Sequence, residues 1–250
     1  MPTALIVPET ALLVPGVSGR TSVLEQVRVA ALAAARRLVA DAPARVVVVG
    51  PAARGRTADA ATLCASLAPL GVHERHLGWP APCCAGDHES GATRAAPSTA
   101  VGLRLLAEAG WAGPTTVVEL ASDDDGAGGE VSDGDALGAG EASASLLVLG
   151  SLSARRDEDS PRASDPRAIP LDERLAADLT CPTADGRARL RGLDRDLAAE
   201  LGVSGAAPWR FLAQHVEGQL AEGFEVEGRE DAAELALGVD YRVVTWRWSA

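Results

Sequence analysis

The residues best suited to metal chemistry lie in one segment between positions 73 and 88. His73 and His76 are separated by two residues, and Cys83-Cys84 and Asp87-His88 follow them. Imidazole, thiolate and carboxylate groups are the usual ligands of zinc. On the strand predicted at 72–77, however, side chains three positions apart point to opposite faces. We interpret the segment as a surface strand and loop with incidental His and Cys, and keep Asp87-His88 as a weak metal candidate.

A second candidate is acidic and consists of Asp123-Asp124-Asp125 and Asp133-Gly134-Asp135. An EF-hand calcium loop needs oxygen ligands at alternating positions and a Glu at the twelfth. Counting from Asp133, the fifth position is the apolar Leu137, so the calcium hypothesis fails. The surrounding stretch, 122–141, has no hydrophobic period and predicts a mobile acidic surface loop.

Charged residues also follow two predicted buried strands. Glu9 follows the first strand, and Arg155-Arg156 follows a later one. Open α/β sheets bind ligands beyond the carboxyl ends of their strands, and a guanidinium there can hold a carboxylate or phosphate through two hydrogen bonds. The competing interpretation is that the arginines form structural ion pairs with residues 157–159. Glu9 and Arg155 would also be placed to form an ion pair with each other at the carboxyl ends of these strands.

The elements that would position these residues alternate between short β-rich runs and longer segments rich in Ala, Leu and Arg, a pattern typical of α/β proteins. Strands are predicted at 4–7, 45–50, 72–77, 115–120, 145–150 and 239–248. Helices are predicted at 22–40, 57–67, 98–109, from about 170, and over 187–220 with breaks at glycines. Ser22-x-x-Glu25 has the form of a capping box. We predict one domain, 1–250, with a central mostly parallel or mixed β-sheet flanked by helices.

Composition restricts the partners. The net charge of −12 argues against a nucleic-acid partner and against docking on anionic membrane. No apolar run is long enough to span a bilayer, and the first residues lack the features of a signal peptide. Four cysteines are too few and too irregular for a disulfide framework. We therefore expect a cytoplasmic protein. Trp246 and Trp248 share one face of the last predicted strand, and a homo-oligomer built on that face stays open.

Four stretches carry a family resemblance: Ala4–Pro15 (ALIVPETALLVP), Val47–Pro51 (VVVGP), Leu147–Arg156 (LVLGSLSARR) and Gly238–Tyr241 with the closing strand. Together they resemble the catalytic-subunit-B type of class III extradiol ring-cleavage dioxygenases, a superfamily related to the Memo proteins, and especially its uncharacterised actinobacterial branch. The resemblance implies one α/β domain with non-haem Fe(II) at the ends of central strands. Two histidines and a carboxylate would hold the metal, and a further histidine would act as acid and base.

The chain departs from that family pattern at each histidine that can be placed. The family shows Pro-His-Pro-Pro where this chain has Pro8–Ala11, so Glu9 replaces a histidine. Memo-type proteins show Gly-Pro-Ser-His where Gly50-Pro51-Ala52 leads to Ala53, and the family's Ser-His becomes Ser153-Ala154. Methyl groups donate no electron pair, and one carboxylate cannot hold Fe(II) as a facial triad does.

We therefore predict no cofactor and no identifiable catalytic residue. The chain is expected to be a small-molecule-binding or regulatory pseudoenzyme that contacts a small anionic or polar ligand. The predicted pocket residues are Glu9, Pro51, Ala53, Ser153, Ala154, Arg155 and Arg156. Two alternatives stay open: an active metal-dependent oxidoreductase with a relocated site that uses Glu9, Asp87 or His88, and a non-catalytic partner subunit. Glu234 and Asp240 are the nearest candidates for the family's C-terminal carboxylate ligand.

Overall fold

Nine strands lie in the residues that the computed structural model describes, namely 1–19, 21–82, 93–121, 144–220 and 225–249. They are β1 (Thr3–Val7), β2 (Arg45–Ala52), β3 (Arg56–Asp59), β4 (Leu63–Cys64), β5 (Thr93–Arg94), β6 (Thr115–Ala121), β7 (Ala144–Leu149), β8 (Val226–Ala236) and β9 (Val239–Trp248). Seven of them form one sheet in the order β3-β6-β2-β7-β1-β9-β8, and β4 pairs with β5 separately.

The centre of the large sheet is parallel and its edges are antiparallel. Strands β6, β2, β7 and β1 run parallel to one another. Strand β3 pairs antiparallel with β6 at one edge, and β9 and β8 pair antiparallel at the other. The sheet is therefore mixed, and the predicted single-domain α/β architecture is confirmed.

Helices cover both faces of this sheet. They are α1 (Glu25–Ala40), α2 (Pro97–Glu108), α3 (Ala168–Thr180), α4 (Ala184–Arg191), α5 (Arg195–Leu201) and α6 (Ala206–Gln219). Helices α1 and α2 pack on one face, and α3 to α6 pack on the other. Alternate valines of β2 feed the two cores: Val47 and Val49 enter one, and Val46 and Val48 enter the other. The run of valines therefore serves a strand that is buried on both faces.

Two predicted elements are wrong. The helix expected at 57–67 is replaced by β3, a short 3-10 turn and β4. Its buried apolar residues Leu63, Ala65 and Leu67 alternate along the chain, a period of two that is typical of extended structure. The strand expected at 72–77 is absent, because Glu74–His76 forms a 3-10 turn in which the Arg75 N–H donates to Nδ1 of the N-cap residue His73.

The second half of the chain follows the prediction more closely. Helices α4, α5 and α6 divide the predicted segment 187–220, with Gly192 and Gly202 at the C-caps of the first two. Strand β8 was not predicted. The capping box forms only in part, since the Ser22 side chain bonds Glu25 while Leu24 is the N-cap of α1.

Other predictions concern covalent bonding, membranes and the segments outside the described ranges. Cys64 is disulfide-bonded and Cys181 is a free, exposed thiol, so a disulfide exists although no framework was predicted. None of the described helices is both long and apolar enough to cross a membrane. The predicted acidic loop at 122–141, the Cys83-Cys84 pair and Asp87-His88 lie outside the described residues.

Candidate functional site

The carboxyl ends of β1 and β7 place Glu9 beside Ser151. The two strands are parallel neighbours, and the N–H of Gly150 donates to the Val7 carbonyl 3.0 Å away, which continues their pairing past the last residue of β7. The segments that follow the strands therefore leave the sheet side by side. This is the edge at which α/β proteins place their ligands.

Both oxygens of the Glu9 carboxylate are hydrogen-bonded to serines. The Ser151 hydroxyl donates to Oε2 at 2.6 Å, and the Ser204 hydroxyl, from the turn before α6, donates to Oε1. The same Ser204 oxygen accepts from the Ser151 N–H at 2.9 Å. The ion pair predicted between Glu9 and Arg155 is not formed, because these serine hydroxyls engage the carboxylate instead.

Tyr241 lies near enough to this carboxylate to feel its charge. Its side chain is buried and hydrogen-bonds the Thr10 side chain. Burial, and next the negative charge of Glu9, raise the pKa of the Tyr241 hydroxyl above its ordinary value. The phenol is therefore a neutral neighbour of Glu9.

A second polar cluster joins the segment after β7 to α3. The buried Asp172 accepts from the Ser153 N–H at 2.8 Å and from the Ser153 hydroxyl at 2.7 Å. Arg156 contributes an N–H at 3.4 Å. Burial raises the pKa of Asp172, and the bonds from Ser153 and Arg156 oppose that shift. The ion-pair interpretation of Arg156 is correct in kind, but its partner is Asp172 and not a residue of 157–159.

The other predicted pocket residues have structural contacts of their own. Arg155 donates to the Ala163 carbonyl at 3.0 Å, and its Nε is buried without a partner in the part of the chain that the structure describes. The Pro51 carbonyl accepts from the Ser98 hydroxyl. Ala53 is exposed beyond the end of β2, and the Ala154 N–H donates to the Leu201 carbonyl. Each of these described contacts joins its residue to a different part of the chain, and none of them joins it to Glu9.

The candidates for a C-terminal metal ligand are on β8 and β9, and Asp240 lines a small cavity together with Ser151, a hydrogen-bond partner of Glu9. Asp240 accepts two hydrogen bonds from Arg242, at 3.1 and 2.8 Å. Glu234 is on β8, where it pairs with Tyr241 across the ladder. Within the described ranges no three His, Cys, Asp or Glu side chains are grouped so that they could hold a metal ion.

Non-haem iron does not fit the residues that the sequence resemblance assigns to ligand positions. Ala53 and Ala154 offer methyl groups, and Glu9 offers one carboxylate whose oxygens already accept two hydroxyl hydrogens. A facial triad needs two imidazoles and a carboxylate that are free to coordinate.

Sequence reasoning missed Ser151, Ser204 and Asp172. Ser204 lies 195 positions from its partner Glu9, and no local pattern joins the two. Asp172 stood between the buried Leu171 and Leu175 on the apolar side of a predicted helix, and a carboxylate in that setting needs a partner. A carboxylate in that setting could have indicated from the sequence that Asp172 has a buried hydrogen-bond partner.

Comparisons with known proteins leave the family open. No family model matches the chain. No curated protein matches it either. A solved structure of an uncharacterized protein from Escherichia coli K12 is similar to it, with a TM-score of 0.46 and 12% sequence identity over 98% of this chain and 99% of that chain.

Proposed function

We propose that this chain is an extradiol dioxygenase-like protein without the iron site, and that it works as a small-molecule-binding or regulatory pseudoenzyme in the cytoplasm. The observation that carries the proposal is the hydrogen bonding of Glu9. Both of its oxygens accept from serine hydroxyls, at the position where the resembling family has a metal-binding histidine.

The energetics of these bonds oppose metal binding by Glu9. A hydrogen bond to a charged group contributes roughly 1.5–3 kcal/mol, so a cation that displaced both hydroxyls would lose about 3–6 kcal/mol before it gained any ligand. The arrangement favours a carboxylate that holds loops together over one that holds a metal.

The test is metal content combined with oxygen uptake. Protein purified without chelators is incubated with Fe(II), Mn(II) or Zn(II) and desalted, and its metal content is measured by mass spectrometry. In a second assay, an oxygen electrode follows oxygen consumption in the presence of catechol. We expect far less than one metal per chain, no uptake of oxygen, and the same result for Glu9→Gln. Stoichiometric metal that disappears in Glu9→Gln, or turnover of catechol, would contradict the proposal.

The two alternatives make different predictions in solution. An active oxidoreductase with a relocated site would carry metal in the same assay, with Glu9 as its one candidate ligand inside the described ranges. A partner subunit would run alone as an incomplete assembly and would shift in mass when native extract is added, as light scattering after size exclusion measures. A homo-oligomer would show a fixed multiple of the chain mass in the same measurement.

A further inference from the structure

A cleft of about 230 Å³ opens between α5 and α6, next to the strand-end site. Three guanidinium groups line it: those of Arg162, Arg195 and Arg210. No carboxylate is among the described residues that form its wall. In a chain with a net charge of −12, a cleft lined by three like charges without a counter-ion indicates an anionic ligand.

The three arginines keep donors available. Arg162 gives one N–H to the Ala199 carbonyl at 3.4 Å, and Arg210 gives one to the Leu193 carbonyl at 3.0 Å. Arg195 is exposed at the start of α5 and makes no ion pair with the described residues. Each guanidinium has five N–H donors, so most of the donors around the cleft have no protein partner.

The acidic side chains of α5 and its N-cap do not line the cleft. Asp194 caps α5 by accepting from the N–H groups of Asp196 and Leu197. Glu200 pairs with Arg167 at 2.9 Å. Asp196 is on the same helix but does not line the cleft. None of the described residues that line the cleft carries a negative charge, and Glu9 lies behind the wall, where it accepts from the Ser204 hydroxyl.

The helix beside the cleft adds to this positive potential. α6 begins at Ala206 in the cleft wall, and its N-cap, Gly205, provides no side-chain capping bond. The N-terminus of a helix carries partial positive charge. Burial, and next the charge of Arg195, lower the pKa of Arg210, as expected where two cations meet without an anion.

We infer that this cleft binds a small organic dianion and that a phosphate monoester is the class that fits. Planar guanidiniums bind phosphate through paired hydrogen bonds, and a dianion balances three cations better than a monocarboxylate does. Ala198, Val203 and Ala206 provide an apolar wall for a short carbon chain. The volume lies below the usual range for drug-sized ligands, so the ligand is small. The inference deepens the proposed binding function by naming its site and ligand class.

The test is calorimetry on the full chain at low ionic strength, with inorganic phosphate, propyl phosphate and butyrate as probes. We expect propyl phosphate to bind at least tenfold more tightly than butyrate, and inorganic phosphate to compete with it. Arg195→Gln should weaken propyl phosphate at least tenfold. The control is Arg36→Gln, which removes an equal charge from an exposed position on α1, across the sheet, and should leave the affinity unchanged.

Three results would overturn the inference: no heat with either phosphate compound, equal affinity in Arg195→Gln and the parent, or an equal loss in both variants. Arg210→Gln, with its fold checked by circular dichroism, provides a second test of the same wall. A result that overturns the phosphate inference can be distinguished from one that overturns the proposed function. A metal-free chain that ignores phosphate contradicts this inference alone, and a metal-loaded enzyme that binds phosphate contradicts the proposed function alone.

Discussion

His215 should make the fold lose stability in acid. Its imidazole lies on α6 inside the core, with only 8% of the residue exposed. It stacks parallel to Phe211 with ring centres 6.3 Å apart, and Trp248 meets it edge-on at 6.4 Å. Its Nε2 is buried without a hydrogen-bond partner in the described structure. Burial lowers the pKa of His215 from 6.5 to about 4.

The direction of the pH effect follows from this lowered pKa. The unfolded chain takes up the proton at a higher pH than the folded chain, so acid favours unfolding. The contribution of neutral His215 is fully present above about pH 6.5 and is lost as the pH falls toward 4. Between pH 7 and pH 4.5, the linkage relation gives a loss of about 2 kcal/mol in the free energy of unfolding.

Urea unfolding at neutral and acidic pH measures this loss directly. His215→Leu removes the titrating group and should lose about 2 kcal/mol less than the parent over that interval. His76→Leu makes the same change at an exposed position, and should follow the parent because it retains the buried imidazole. Equal losses in the parent and His215→Leu would refute the reasoning, and so would a reduced loss in His76→Leu.

Two further substitutions test the contacts around the strand-end site by urea unfolding. Asp172→Ala leaves the Ser153 donors and Arg156 without their acceptor and should lower the free energy of unfolding by about 3 kcal/mol. The control, Glu173→Ala at the exposed neighbouring position, should change it by less than about 0.5 kcal/mol. Equal effects of the two substitutions would contradict the importance of this cluster. Gly150→Ala would place a Cβ 2.3 Å from the Gly205 Cα and should cost at least about 2 kcal/mol. The control is Gly218→Ala on α6, where an added Cβ would meet nothing within 4 Å and should raise the free energy of unfolding by about 0.5–1 kcal/mol. Unchanged stability in Gly150→Ala would contradict the close approach of Gly150 and Gly205.

The central strands could be predicted from the sequence because their burial leaves a strong local signal. Val46–Val49 is apolar without alternation, and the structure buries all four residues between two helical layers. β8 shows the opposite case. It lies at the sheet edge and carries exposed charges such as Glu227, Arg229 and Glu230. These charges interrupt the alternation of apolar and polar residues by which a strand is predicted, but they protect an edge strand from pairing with other chains.

The site was harder to predict because its contacts join distant parts of the chain. The sequence placed Glu9 and the segment after β7 at one sheet edge, and that geometry holds. It could not show which donor reaches Glu9, because Ser151 and Ser204 come from different elements and only the fold brings them together. Arg155 and Arg156 lie in the segment after β7 and were the predicted partners of a ligand or of Glu9. In the structure they bind protein groups instead.

Ser204 connects the strand-end carboxylate to the arginine cleft. Its hydroxyl binds Glu9, and the same residue lines the cleft beside α6. The following residue, Gly205, donates its N–H to the Ser151 carbonyl at 3.2 Å. The turn that forms one wall of the cleft is therefore bonded to the segments that follow β1 and β7. A wall held in this way does not have to be ordered when a ligand arrives, and preorganisation of that kind lowers the entropic cost of binding. The Glu9 network would therefore support the anion binding that we infer by fixing the cleft wall, although the negatively charged carboxylate does not itself line the cleft.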